Sequence, residues 1–379
     1  MKQKYLFLYL KTGGGHLAPA RAVASFLLNH HADEVEPVLV DGFTEAPQFV
    51  RAAVEDGYRT LQSRAQWLYS VIYLFNKIPF IGWLNSWLVG YFVSPYLERI
   101  ILEVKPEKIV IFHFLLIEAV SKIVERNALQ IPVVNVVTDP YTAHPLWFRH
   151  KEQHYVVFSD RLKQDCVERN ICPSRVNVFP FILEEKYSVP FSEHEKIAFK
   201  LKLGIDPDRE MILVMGGGDG IPKGKSILRS LATARPQAEI ILVCGNNTAL
   251  FEAVLAWVNK HANRRVKVIG FTDSAYELIN TADLVVTKCG ASMFMQSLMA
   301  GKAPLIVDYL WGQEKGNVEF LMANEMGVYE KSVRNLPEKL RLLSPHFGEG
   351  TRYRENIARA ALRNGTDQVS RFLLEFRAA

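Results

Sequence analysis

Short, nearly continuous apolar runs at residues 5–10, 35–40, 109–112, 133–137 and 155–158 are separated by segments long enough to be helices. Runs of this kind suit strands buried on both faces, so the rhythm predicts a parallel sheet covered by helices. A polar, irregular passage over about 183–207 interrupts the pattern, which resumes at 211–215, 240–244, 266–269, 284–287 and 305–307. Two doubly wound α/β domains joined by a linker are the simplest account. Ligands of such sheets bind at the carboxyl ends of the strands, so the two domains are expected to face each other across a cleft.

Residues 65–97 follow a different rule. Lys77 is their only charged residue, whereas Trp67, Tyr69, Tyr73, Phe75, Phe80, Trp83, Trp87, Tyr91, Phe92 and Tyr96 are aromatic. Trp and Tyr favour the boundary between water and hydrocarbon, while Pro79 and Gly82 break the stretch before it could serve as a span of about 20 residues. The expectation is an interfacial segment, with Trp67, Trp83 and Trp87 as membrane contacts. Packing of the same aromatics against the body of the first domain is the competing reading.

Composition narrows the class further. With 379 residues, 49% hydrophobic and 22% charged, the chain has the balance of an ordered globular protein. A net charge of +5 is mild, fits weak attraction to an anionic membrane surface, and comes without an arginine-rich run, so no nucleic-acid partner is expected. Cys166, Cys172, Cys244 and Cys289 form no CxxC pair, which points to a reduced, cytoplasmic compartment. The run at 5–10 is too short for the core of a signal peptide and reads as a first strand.

The candidate chemistry sits at strand ends. Lys11-Thr12-Gly13-Gly14-Gly15-His16 follows the first strand and leads into a helical pattern, so glycines bring main-chain donors close to a ligand and His16 is placed to take a proton from an alcohol. The spacing Gly13-x-Gly15-x-x-Ala18, with Asp41 after the second strand, also fits a dinucleotide fingerprint, a weak signal alone. Asp139, just beyond the run at 133–137, could orient or deprotonate a hydroxyl, or simply cap the turn before Pro140.

In the second half, Met215-Gly216-Gly217-Gly218-Asp219-Gly220 suits a diphosphate cradle. Lys223-Gly224-Lys225-Ser226 looks like the end of a Walker A loop, but Asp219 stands where the first glycine is required. Gly312-Gln313-Glu314-Lys315-Gly316-Asn317 carries amide and carboxylate groups that can read sugar hydroxyls. His150 and His154 have the spacing of a zinc pair but lack the adjacent glutamate, so no metal is expected.

Taken in order, the glycine turn with His16, the Val137-Thr138-Asp139 strand end with His144-Pro145 and Trp147-Phe148, the loop at 216–220 and the stretch at 312–317 resemble the diacylglycerol glycosyltransferases of glycosyltransferase family 28. That group includes monogalactosyldiacylglycerol synthases and processive diacylglycerol glucosyltransferases. The resemblance implies a GT-B fold: an acceptor domain over 1–185, a nucleotide-sugar domain over 205–365, and a terminal helix over 366–379 that packs back on the first domain. It implies inverting, metal-independent hexose transfer from a UDP-sugar to diacylglycerol or a related lipid, with no cofactor beyond that co-substrate. His16 and Asp139 would be catalytic, and Gly14, Gly15, His144 and Trp147 would hold the acceptor. Gly217, Gly218, Phe271, Gly290, Gln296, Gln313, Glu314 and Asn317 would bind the donor, with Gln296 and Met293 standing where relatives carry a ribose-binding glutamate and a hydroxyl. The protein would be cytoplasmic and peripherally bound to the membrane. The alternatives are a non-catalytic binding protein of the same fold and a nucleotide-sugar epimerase.

Overall fold

Apolar strand segments assemble into two six-stranded sheets, every pairing parallel, in a computed structural model that describes residues 2–11, 14–57, 66–344 and 348–377. The chain divides into two compact units: Met1–Glu185 with Trp311–Gln313 and Asn364–Ala379, and Lys186–Leu310 with Glu314–Arg363.

The first unit holds β1 (Gln3–Tyr9), β2 (Val35–Asp41), β3 (Lys108–Ile111), β4 (Val133–Val136), β5 (His154–Val157) and β6 (Val176–Val178), in the order β2-β1-β3-β4-β5-β6. β3 and β4 are buried at every position, as a sheet covered on both faces requires. The strand order reverses between β1 and β3, the place where a doubly wound sheet opens a crevice. The C-terminal helix Thr366–Glu375 lies in this unit, against the helix Gly14–His30. Asn364 fastens it, accepting from the Leu183 N–H and donating to the Leu183 and Glu184 carbonyls, while buried Lys108 donates to the Leu373 carbonyl.

The second unit holds β7 (Met211–Met215), β8 (Glu239–Val243), β9 (Val266–Ile269), β10 (Leu284–Lys288), β11 (Pro304–Asp308) and β12 (Val328–Tyr329), ordered β12-β11-β10-β7-β8-β9. Its reversal falls between β7 and β10. Asp283 anchors the edge of this junction by accepting from the Met211 N–H and from Lys200 Nζ.

Three local expectations need revision. The passage at 183–207 contains the helix Glu193–Lys202, started by a reciprocal capping box in which Ser192 and Glu195 satisfy each other's backbone N–H groups. β6 and β12 are short edge strands without a long apolar run. The terminal helix expected over 366–379 spans Thr366–Glu375 and is preceded by a further helix, Gly348–Ala360, from which it is parted where Ala361 turns left-handed at φ 46°.

The aromatic segment is a pair of helices, Gln66–Lys77 and Pro79–Val104; Ala65 lies outside the described residues. Ile78 is extended because the residue before a proline is pushed out of the helical region, and that break separates the helices. The longer helix buries Gly82, Ser86, Gly90, Val93, Leu97 and Ile101, a single stripe at spacings of three and four. Its other face is open, with Phe80 67% and Tyr91 66% exposed, Trp87 exposed and Trp83 half-buried, and on the shorter helix Trp67 is 71% exposed. Among the described residues, no helix is long and apolar enough to cross a membrane.

Candidate active site

The crevice of the first sheet is lined from the loops after β1, β3 and β4. His16 stands in the first turn of the helix Gly14–His30, and its Nδ1 lies 2.9 Å from the Phe112 carbonyl and 2.7 Å from Thr138 Oγ1. A carbonyl oxygen only accepts, so Nδ1 carries the proton and the Nε2 lone pair is the basic one. Burial lowers the His16 pKa to about 4, which keeps the ring neutral at physiological pH. His113 packs edge-on against it at 4.3 Å and is itself held well below the ordinary imidazole range by burial and by His16.

Asp139 is buried one residue further along, and its Oδ1 accepts from Gln313 Nε2 at 3.1 Å. Gln313 Oε1 in turn accepts from the Tyr69 hydroxyl at 2.8 Å. The carboxylate only accepts, so it fixes the NH₂ end of the Gln313 amide, and the tyrosine hydroxyl, which can donate, meets the oxygen end. His16, Asp139, His144 and Gln313 border a cavity of about 480 Å³ whose remaining wall is largely apolar, including Phe49, Ile72, Leu88 and Phe92. Such a space accepts an alcohol with a hydrocarbon tail.

The other acceptor residues divide. Gly14 and Gly15 open the helix with nothing within 4 Å of where a side chain would begin, whereas Thr12 and Gly13 lie outside the described residues. His144 lines the cavity, capping the turn Pro145–Phe148 by accepting from the Leu146 N–H, and burial lowers its pKa to about 4. Trp147 corrects the expectation. Its ring has no exposed surface and packs behind His16 at 6.5 Å and Phe114 at 5.8 Å, so it supports the wall from behind and is not among the residues that border the cavity.

In the second unit, the glycine loop and the Lys288–Gly290 turn flank the β7/β10 reversal. Gly218 leaves open space above its backbone, and its carbonyl accepts from the Asn246 N–H at 2.7 Å. Gly245, at φ 59°, lies so close to that carbonyl that any Cβ would collide with it. Lys288 reaches towards the loop, its Cε 3.9 Å from where a Gly217 side chain would start. Gly290 is the N-cap of the helix Ala291–Met299, whose free N–H groups favour negative charge.

Glu314 is buried below Gly290 and accepts from the Leu310 N–H at 2.7 Å; burial raises its pKa. Asn317 donates to the Cys289 carbonyl, while its buried Oδ1 has no partner among the described residues. Gln296 is half-buried on the helix after Gly290, and Phe271 presents an exposed ring after β9. Gln313, expected with the donor residues, hydrogen-bonds the Asp139 and Tyr69 side chains of the first unit. Sequence reasoning gave no site role to Tyr69, Tyr73 and Thr138, whose local pattern does not set them apart from packing residues. Lys288 did carry a signal, a cation at the end of a strand beside a glycine loop.

No group of three or more His, Cys, Asp or Glu side chains among the described residues could hold a metal. His150 pairs with Glu118 and Glu152 instead of forming a zinc site with His154.

Two parallel sheets, each reversing beside glycine-rich loops, are the architecture of the GT-B fold. Solved structures share this fold: Anabaena HepE in complex with UDP and glucose (TM-score 0.59, 13% identity, 98% of each chain) and Acinetobacter baumannii MurG (TM-score 0.61, 15% identity, 99% of this chain and 100% of that one). The model of the monogalactosyldiacylglycerol (MGDG) synthase family matches residues 16–180, and that of the glycosyltransferase family 28 C-terminal domain matches 211–343. A probable monogalactosyldiacylglycerol synthase 2, chloroplastic, of Oryza sativa subsp. japonica is 25% identical over 94% of this chain and 77% of its own. The first model thus covers most of the first unit and the second most of the sheet of the second unit, so the two together account for the greater part of the chain.

Proposed function

We propose that the protein moves a hexose from UDP-galactose or UDP-glucose to the free hydroxyl of diacylglycerol or a related lipid, with inversion and without metal or cofactor. The observation that carries this reading is His16. With Nδ1–H held by the Phe112 carbonyl, its Nε2 is free to accept the hydroxyl proton as the oxygen attacks the anomeric carbon and UDP leaves. The Asp139 carboxylate in the same cavity offsets the positive charge that forms on the ring. Lys288, the glycine-loop N–H groups and the helix that starts at Ala291 supply positive potential for the departing diphosphate.

Membrane attachment follows from the open face of the aromatic helix pair, a continuous apolar surface carrying Trp67, Trp83 and Trp87. The protein would lie on an anionic membrane surface from the cytoplasmic side. Relatives named as monogalactosyldiacylglycerol synthases and a GT-B structure holding UDP support donor and acceptor alike.

The test supplies labelled UDP-hexoses with diacylglycerol vesicles. Glycolipid should form, and His16→Ala should slow its formation by about 10²–10⁴-fold. Full activity in both His16→Ala and Asp139→Ala would remove the proposed acceptor chemistry. Conversion of the donor with no lipid present would point to an epimerase, and UDP binding without transfer to any lipid would point to a non-catalytic protein.

A further inference from the structure

Tyr73 lies one turn after Tyr69 on the helix Gln66–Lys77, and both side chains are buried. Their hydroxyls have different fates. Tyr69 donates to Gln313, while the Tyr73 hydroxyl, equally shielded, has no hydrogen-bond partner among the described residues. A buried donor without an acceptor is costly, and where one persists in the wall of a cavity a ligand is the natural partner.

The ring is held firmly. It meets His144 edge-on at 5.0 Å, and Lys77 Nζ sits 5.0 Å from its centroid. Gly312, at φ 92°, passes so near that a side chain there would begin 2.7 Å from Tyr73 Cε1. Burial and the charge of Asp139 raise the phenol pKa, so the hydroxyl remains a donor at any physiological pH.

Resting on the functional reading above, we propose that the Tyr73 hydroxyl binds an ester carbonyl oxygen of the acyl glycerol acceptor and so distinguishes an ester-linked lipid from an ether-linked one. The cavity supplies the reason. Its reactive end holds His16, Asp139 and Gln313, and the wall beside Tyr73 is apolar through Ile72 and Leu88. An acceptor whose free hydroxyl is at His16 has ester carbonyls as its next polar atoms, and these only accept. A phenol O–H complements them. The other amides of the lining, Asn76 and Asn85, already bond to each other and to the Ile72 carbonyl, so a sugar would press most of its hydroxyls against apolar wall.

The experiment compares wild type with Tyr73→Phe on vesicles carrying either diacylglycerol or a dialkylglycerol of the same chain length, with labelled UDP-hexose. Wild type should favour the diester by about tenfold in kcat/KM, and Tyr73→Phe should reduce that ratio to about twofold by lowering the rate on the diester. The KM for UDP-hexose should be unchanged, and the melting temperature of the unliganded variant should be no lower than wild type, because an unpaired buried hydroxyl has been removed. An equal loss on both lipids, an unchanged ratio, or a raised KM for UDP-hexose would overturn the proposal. So would a fall in melting temperature, which would give the hydroxyl a structural partner. Absence of transfer to either lipid in wild type would remove the functional reading, and this inference with it.

Discussion

Acid should destabilise this protein well before its carboxylates protonate, because three histidines are buried neutral around one cavity. Burial lowers His16 and His144 from the ordinary value of 6.5 to about 4, and burial and the neighbouring His16 hold His113 well below its ordinary value too. In the unfolded chain these rings take up protons near their ordinary value, whereas in the folded protein they do so only near 4. Stability is therefore complete above about pH 6.5 and drains away as the pH falls towards 4. His16 and His144 should each lose about 2 kcal/mol between pH 7.5 and 5, hence about 4 kcal/mol together, a large share of a typical folding free energy.

His154, lowered by burial and by Arg175, adds to the same window, while two other groups act differently. Hydrogen bonding to His150, assisted by Lys122, lowers Glu118 to about 2, so its contribution disappears only below its ordinary value of 4.5. For His150, burial acts downwards but Glu118 and Glu152 outweigh it and raise the pKa, so this ring opposes the acid loss. The assay is urea unfolding followed by circular dichroism from about pH 7.5 to 5, in wild type and His144→Asn, whose amide oxygen can still accept from the Leu146 N–H. The variant should lose about 2 kcal/mol less across that range than wild type. A flat stability profile in wild type, or identical slopes in the two proteins, would refute the argument that these rings are neutral because they are buried.

Two further outcomes follow from the geometry. Gly245→Ala should weaken UDP binding in calorimetry by about tenfold or more, because the new methyl group must displace the Gly218 carbonyl from the glycine loop; unchanged affinity would place the nucleotide elsewhere. Replacing Trp67, Phe80 and Tyr91 together with Ser should abolish co-sedimentation with anionic vesicles while leaving the folded core intact, since their side chains project away from it; undiminished vesicle binding would assign the membrane contact to another surface.

Much of this architecture was legible along the chain. Strand positions followed from apolar runs, and the glycine loops lay where strand ends met small residues, because backbone geometry and local periodicity are properties of neighbouring residues. The helix Glu193–Lys202 escaped notice because its polar composition resembles a loop; only the Ser192 and Glu195 spacing betrayed it. Trp147 was misjudged for a related reason: its position beside a candidate histidine is visible in sequence, but the side on which its ring packs is not.

The sequence by itself determined two parallel sheets, their glycine-rich loops, an aromatic segment and the candidate pair His16 and Asp139. Tertiary structure decided what these residues touch. Gln313 meets Asp139 across 174 residues of chain, Tyr69 meets Gln313 across 244, and the Tyr73 hydroxyl is left unpaired among the described residues. Such contacts depend on strand order and on which helix covers which sheet end, and therefore on the packing of the whole unit, which no local pattern encodes.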